Sequence, residues 1–183
     1  MKPFYEDVIV AGFGGQGVLF IGKLLAYAAM KEGRNVTWIP SYGPEMRGGT
    51  ANCTVVISDE VIGSPVITSP HSLIVMNNPS LDSFEPQLKT GGVLIINTSL
   101  ITRESKRSDV TVIKVPANKI AFELGNDKAA NMVMLGAYIA KTKAVSSQSI
   151  LDGLEKVLGE KKKRRFLEIN KRAFEEGMEI VNL

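Results

Sequence analysis

Cysteine is nearly missing from this chain. Cys53 is the only one in 183 residues. That excludes an internal disulfide framework, a cysteine-held zinc site and an iron–sulfur cluster built from the chain's own ligands. It also suits a reducing, cytoplasmic setting. Histidine is as scarce: His71 stands alone between Pro70 and Ser72. With no nucleophile motif nearby, it is expected in a turn or on the surface. Charge of one sign is lacking too. The net charge is +3, too weak to point to nucleic acid. No run approaches the roughly 20 apolar residues that a membrane span needs. The first residues carry Glu6 and Asp7 ahead of the glycines and do not read as a signal peptide. What is present is ordinary for a globular protein: 44% hydrophobic and 22% charged residues. This is enough to bury the core of one compact domain over residues 1–183.

Apolar runs of strand character alternate with helical patterns, which predicts an α/β fold with a mostly parallel sheet. The first strand reads Val8–Ala11. A glycine turn follows, then a helix with Val18, Ile21, Leu25 and Ala28 on one face, ended by Gly33. A second strand is expected over about Asn35–Ile39, stopped by Pro40. Residues 51–58 alternate, with Ala51, Cys53, Val55 and Ile57 on one side. Ser58-Asp59-Glu60 reads as a turn into a short partner at Val61–Ile62, giving an antiparallel edge hairpin. Continuous apolar strands are expected at Leu73–Met76, Val93–Ile96 and Val110–Val115. Three helices follow, over about Lys128–Lys141, Ser147–Leu158 and from about Lys162. Their inward residues include Val133, Met134, Ala137 and Tyr138, then Ile150 and Leu154, then Phe166, Ile169, Ala173 and Phe174. The expected fold is a single three-layer Rossmann-like α/β domain.

Gly12-Phe13-Gly14-Gly15-Gln16-Gly17 follows a strand and opens a helix. In that context Gly12 permits a tight turn, Gly14 admits close approach of an anion, and Gly17 lets the helix pack near the strand. The helix N-terminus offers unpaired N–H groups and partial positive charge to a phosphate. A dinucleotide site would also want Asp or Glu at the end of the second strand. The chain has Trp38-Ile39-Pro40-Ser41 there. The loop therefore reads as anion-facing without holding NAD, or as a tight strand–helix junction and nothing more.

Pro40–Thr50 is too rich in glycine and proline for a helix or strand. It should lie at the carboxyl edge of the sheet beside the first loop, where open α/β sheets bind ligands. Arg47 could pair with a phosphate or with a partner's carboxylate. Gly48-Gly49 would let backbone reach a ligand or another chain. Spacing does not separate these from a plain surface loop. Polar turns at Asn77-Asn78-Pro79, Asn97-Thr98-Ser99 and Pro116-Ala117-Asn118 should share that edge. Trp38 is expected in the core, and Tyr42 facing either a ligand or a partner. Cys53 is expected as a buried, inert thiol. The run Lys161–Arg165 is expected as a solvated charge run that could also meet an acidic partner. Asn131 is a helix cap or a partner of the Gly125-Asn126 loop.

Taken together, GFGGQGVLFIGKLLAYAAMKEG, PSYGPEMRGGTANCTVVISD and NMVMLGAYIA resemble the gamma subunit of the 2-oxoacid:ferredoxin (acceptor) oxidoreductases, of the 2-oxoglutarate, branched-chain and pyruvate types. The first glycine motif is weakly specific alone. Its pairing with SYGPEMRGGT is strongly specific. The resemblance implies an enzyme complex that converts a 2-oxoacid and coenzyme A to an acyl-CoA, CO₂ and reduced ferredoxin. It implies alpha, beta and delta partner subunits that carry thiamine diphosphate, Mg²⁺ and iron–sulfur clusters. For this chain it implies assembly and coenzyme A binding, with no catalytic residue and no tightly held cofactor. The matching positions are Gly12, Gly14, Gly15, Gln16 and Gly17, with Ser41, Tyr42, Gly43, Glu45, Arg47, Gly48 and Gly49. The chain has no Gly-Asp-Gly segment and one cysteine, so it could not run the reaction alone. Isolated, it could pair with itself through surfaces meant for partners.

Overall fold

The computed structural model describes residues 3–43, 49–158 and 164–181. In chain order the elements are β1 (Tyr5–Phe13), α1 (Val18–Lys31), β2 (Asn35–Tyr42), β3 (Thr50–Ser58), β4 (Ser72–Val75), α2 (Asn78–Phe84), β5 (Val93–Asn97), β6 (Thr111–Val115), α3 (Ala117–Glu123), α4 (Ala130–Thr142), α5 (Ser147–Leu158) and α6 (Arg164–Ile180).

One six-stranded sheet runs β2-β3-β1-β4-β5-β6. β4, β5 and β6 extend β1 in parallel. β3 is antiparallel to both neighbours, pairing Phe13 with Thr50 and Tyr42 with Ala51. β2 therefore points the same way as β1. The carboxyl ends of five strands and the amino end of β3 meet at one edge.

The expected antiparallel hairpin exists, but its members differ. The partner of β3 is β2; Val61–Ile62 forms no strand. Nor does Pro40 stop β2, which runs on to Tyr42. β2 is the edge strand, so Pro40 gives up no ladder hydrogen bond by pointing its ring nitrogen outward. β3 lies inside the sheet, and its Ala51, Cys53, Val55 and Ile57 are all buried toward one face.

Helices cover the two faces unequally. α1, α3, α4, α5 and α6 share one continuous core with Val8, Val10, Ile74 and Ile95. α2 and the chain beyond it cover a smaller core around Ile9, Ala11, Leu73, Val75, Leu94 and Ile96. Alternation along each parallel strand assigns successive residues to opposite cores. Val133, Met134, Ala137 and Tyr138 of α4 are fully buried, as their spacing predicts. In α6, Ala173 and Phe174 are buried, whereas Phe166 is 37% exposed and its neighbour Leu167 takes the inward place in the first turn.

α2 and α3 arise where polar turns were expected. Asn77 caps α2 by accepting from the Ser80 N–H at 2.9 Å, with Pro79 in the first turn. The segment after β5 is tied down by charge. Buried Glu85 accepts from Ser105 Oγ, from Arg103 at 2.8 Å and from the Lys106 N–H. Burial opposes its ionisation, but those hydrogen bonds outweigh it and hold the carboxyl below the usual range.

Candidate functional site

The glycine loop sits where β1 ends and α1 begins, and its glycines have different reasons. An added Cβ at Gly12 would stand 2.6 Å from Gln16 Oε1 and 2.9 Å from Met76 Cβ. Gly15 has φ +100° and open space around it, and Gly17 has φ +76°. Both are backbone shapes that L side chains resist. Gly17 is the N-cap of α1, and no side chain caps that helix. The Phe20 and Ile21 N–H groups both donate to the Gly17 carbonyl at 3.1 Å, which leaves those of Val18 and Leu19 available, with the positive end of the helix dipole behind them.

Gly17 was expected to bring the helix close to the strand. That task falls to Gly22, where an added Cβ would meet Cys53 Sγ and the Trp38 indole. Gly17 instead makes room for Asn131 of α4, whose Nδ2 donates to the Gly17 carbonyl at 3.4 Å. Asn131 is thus neither a cap nor a partner of Asn126, which caps its own turn by accepting from the Lys128 N–H.

Gln16 turns inward. Its Oε1 accepts from the Phe13 N–H at 2.7 Å and from Asn77 Nδ2 at 3.0 Å. These bonds bridge the ends of β1 and β4, the switch point where dinucleotide-binding sheets open their crevice. Beyond it a row of amides continues: Asn97 donates to Asn118 Oδ1 at 2.8 Å. With Gln16 across the junction, the open space lies on the other side of the loop, over β3 and β2.

That space is a cavity of about 530 Å³. Gly14, Gly15 and Gly17 form one wall, and Phe13, Val18, Leu19, Trp38, Pro40 and Tyr42 form most of the rest. Trp38 is half-buried and lines the cavity instead of sitting wholly in the core, and Tyr42 is 61% exposed. No Asp, Glu, Lys, Arg, His or Cys lines it among the described residues. Among the described residues the hydroxyls that line it are those of Tyr42 and Thr50.

The two loops meet directly. The Gly14 N–H donates to the Gly49 carbonyl at 2.8 Å, and the Gly43 N–H to the Thr50 carbonyl at 3.0 Å. Ser41 and Tyr42 end β2 beside them. Glu45, Arg47 and Gly48 lie outside the described residues, as do Lys161–Lys163 of the basic run. Signals for the Gln16–Asn77 and Gly17–Asn131 contacts were weak in the sequence, because 61 and 114 residues separate the partners.

Other candidates lie elsewhere. Cys53 is fully buried, and burial pushes its thiol up to about 12, which makes it inert. His71 is at the opposite edge of the sheet. Its Nδ1 stands 3.1 Å from Asp7 Oδ2, with Lys89 Nζ 3.2 Å from Nε2. A cavity of about 230 Å³ there is lined by Glu6, His71, Ser72 and Lys89. Glu6 accepts from Ser72 at 2.5 Å and Tyr138 at 3.2 Å, while burial raises its carboxyl above the usual range. Among the described residues no group of three or more His, Cys, Asp or Glu could hold a metal ion, and no helix is long and apolar enough to cross a membrane. The lone buried thiol fits no cluster.

Comparison with known proteins agrees with the geometry. The chain is 42% identical over 178 residues to the ketoisovalerate oxidoreductase subunit VorA of Methanothermobacter marburgensis, covering 96% of this chain and 37% of that one. It therefore spans little more than a third of that relative's length, and 35% of the VorA of Methanothermobacter thermautotrophicus. It is 36% identical to the 2-oxoglutarate synthase subunit KorC of Methanocaldococcus jannaschii, covering 96% of this chain and 93% of that one. Among solved structures, the keto/oxoacid ferredoxin oxidoreductase gamma subunit of Geobacter sulfurreducens superimposes with a TM-score of 0.81 at 29% identity, covering 97% and 98% of the two chains. The 2-oxoglutarate:ferredoxin oxidoreductase of Magnetococcus marinus, solved with 2-oxoglutarate, coenzyme A and succinyl-CoA bound, shares the fold with a TM-score of 0.88 at 24% identity; the match covers all of this chain and 32% of that one. Residues 7–180 match the family model described as pyruvate ferredoxin/flavodoxin oxidoreductase, and the chain belongs to that family.

Proposed function

We propose that this chain is the gamma subunit of a 2-oxoacid:ferredoxin oxidoreductase, and that its glycine-loop cavity takes the coenzyme A co-substrate. The observation that carries the reading is an uncapped helix N-terminus opening onto a mostly apolar cavity. Coenzyme A is an amphiphile of matching kind. Its phosphates suit the N–H groups at Gly15, Gly17 and the start of α1. Its adenine or pantetheine arm suits Trp38, Pro40 and Tyr42. Gly12, Gly14 and Gln16 shape the loop, while Ser41, Gly43 and Gly49 hold the second loop against it. Glu45, Arg47 and Gly48 complete that loop, with Arg47 as the counter-charge for a phosphate.

The chemistry itself falls to the partners. Decarboxylation on thiamine diphosphate with Mg²⁺, and electron transfer through iron–sulfur clusters to ferredoxin, belong to alpha, beta and delta subunits in the cytoplasm. The chain acts in the enzyme by presenting coenzyme A for acyl transfer and by holding the complex together. The test is reconstitution with and without this subunit. Subunits that assemble and turn over normally with coenzyme A in its absence would sink the proposal.

One observation favours a second reading. The Gly14 N–H, a natural anion donor, is already spent on the Gly49 carbonyl. Loops latched together this way would suit a pure assembly module that binds no small molecule. Calorimetry on the assembled complex separates the two, since Arg47→Ala weakens coenzyme A binding only under the first.

A further inference from the structure

The carboxamide of Asn131 has no evident structural reason to be where it is. It is the second residue of α4 and only 5% exposed. Its Nδ2 makes one long hydrogen bond, 3.4 Å to the Gly17 carbonyl. That carbonyl already accepts from the Phe20 and Ile21 N–H groups, each at 3.1 Å. Its Oδ1 is buried and has no partner. An unmet buried acceptor costs on the order of 1–3 kcal/mol, and an apolar side chain would avoid that cost. A side chain that stabilises the fold poorly at such a place invites a different explanation.

Its location supplies one. Gly17 caps α1 in a left-handed shape, and an added Cβ there would stand 2.9 Å from Asn131 Cγ. The two residues fill each other's space. Asn131 thereby restrains the Gly17 peptide, which precedes the free N–H groups of Val18 and Leu19, two residues that line the cavity. We infer that Asn131 is a positioning residue for the glycine-loop site: it holds the helix end in the shape that receives a phosphate. This rests on the reading of the loop as the coenzyme A site.

Two variants in the full assembled complex test it, with free coenzyme A as the probe. Asn131→Leu keeps the branching at Cγ and removes the unmet acceptor, while adding the bulk of its methyl groups. It is expected to fold and to melt within a few degrees of the wild type yet bind coenzyme A about tenfold more weakly. Asn131→Asp adds negative charge behind the helix end. Its affinity is expected to fall by at least about tenfold at neutral pH and to recover as the solution is acidified, a pH profile that a packing role would not produce. Wild-type affinity in Asn131→Leu, or no pH dependence in Asn131→Asp beyond that of the wild type, would overturn the inference. Amide hydrogen exchange at Gly17, Val18 and Leu19 without ligand is the independent readout. A change there in Asn131→Leu supports positioning even if the wild-type complex fails to bind coenzyme A, an outcome that refutes the ligand reading alone. Unchanged exchange refutes the positioning role.

Discussion

Glycine serves opposite ends in two regions of this molecule. Where α4 crosses α6, Gly136 and Gly177 let two backbones touch: an added Cβ at either would overlap a carbonyl oxygen of the facing helix, at Phe174 or Val133. At the start of α1, Gly15 has nothing within 4 Å of the place a Cβ would take. The crossing uses glycine to remove space, and the loop uses it to keep space. A core tolerates no added methylene without shifting. A binding loop tolerates volume but not a change of backbone direction. Identical residues in the sequence therefore predict different failures.

The largest effect should come from the crossing. Gly136→Ala or Gly177→Ala is expected to cost about 3 kcal/mol, or roughly 6–12 °C in melting temperature, while the folded fraction still binds coenzyme A normally. Calorimetric melting beside ligand titration checks it, and a neutral outcome would remove one side of the contrast. Gly17→Ala mixes the two failures. It strains a left-handed cap and overlaps Asn131, so about 2 kcal/mol and a loss of binding should appear together. Gly15→Ala should separate them the other way. Its φ of +100° costs about 1–2 kcal/mol, and coenzyme A affinity should fall about tenfold in equilibrium titration.

A fourth measurement changes charge instead of volume. Glu85 is held below its unfolded value, so it adds stability above the ordinary carboxylate pKa of about 4.3. That stability is lost as pH falls toward its folded value. Glu85→Gln should flatten the acid limb of the stability curve and lower its neutral plateau. Glu6 is raised and works with the opposite sign: its ionisation costs stability that protonation returns. The smallest effect belongs to Gly63→Ala, with open space and no left-handed backbone. It should stay within about 0.5 kcal/mol and leave binding unchanged.

Local patterns were readable and distant pairings were not. α5 spans Ser147–Leu158, as its apolar spacing predicts, and the strand–glycine–helix unit at Val8–Ala28 is local enough to announce itself. α2 and α3, at seven residues each, are too short to show a helical period, although Asn77 with Pro79 was a usable cap signal. The place of β3 between β2 and β1 was hidden because strand order is a matter of partners far apart in sequence. At the candidate site, the glycines and the aromatic wall could be listed from residues 12–50, but not the inward turn of Gln16. Its two bonds involve Phe13, nearby, and Asn77, far along the chain. Nor could Asn131 be tied to the loop, since its helix returns there only after five strands have intervened.

The inserted strand also makes the two walls of the cavity depend on one element. β1 and β2 run side by side in direction but have β3 between them. In the sheet the first two strands touch only through residues 50–58. The aromatic wall on β2 and the glycine wall at the end of β1 are therefore joined, within the sheet, through β3 alone. A variant that loosens β3 would therefore undo both walls together, Trp38 and the glycine turn losing their shared neighbour at once.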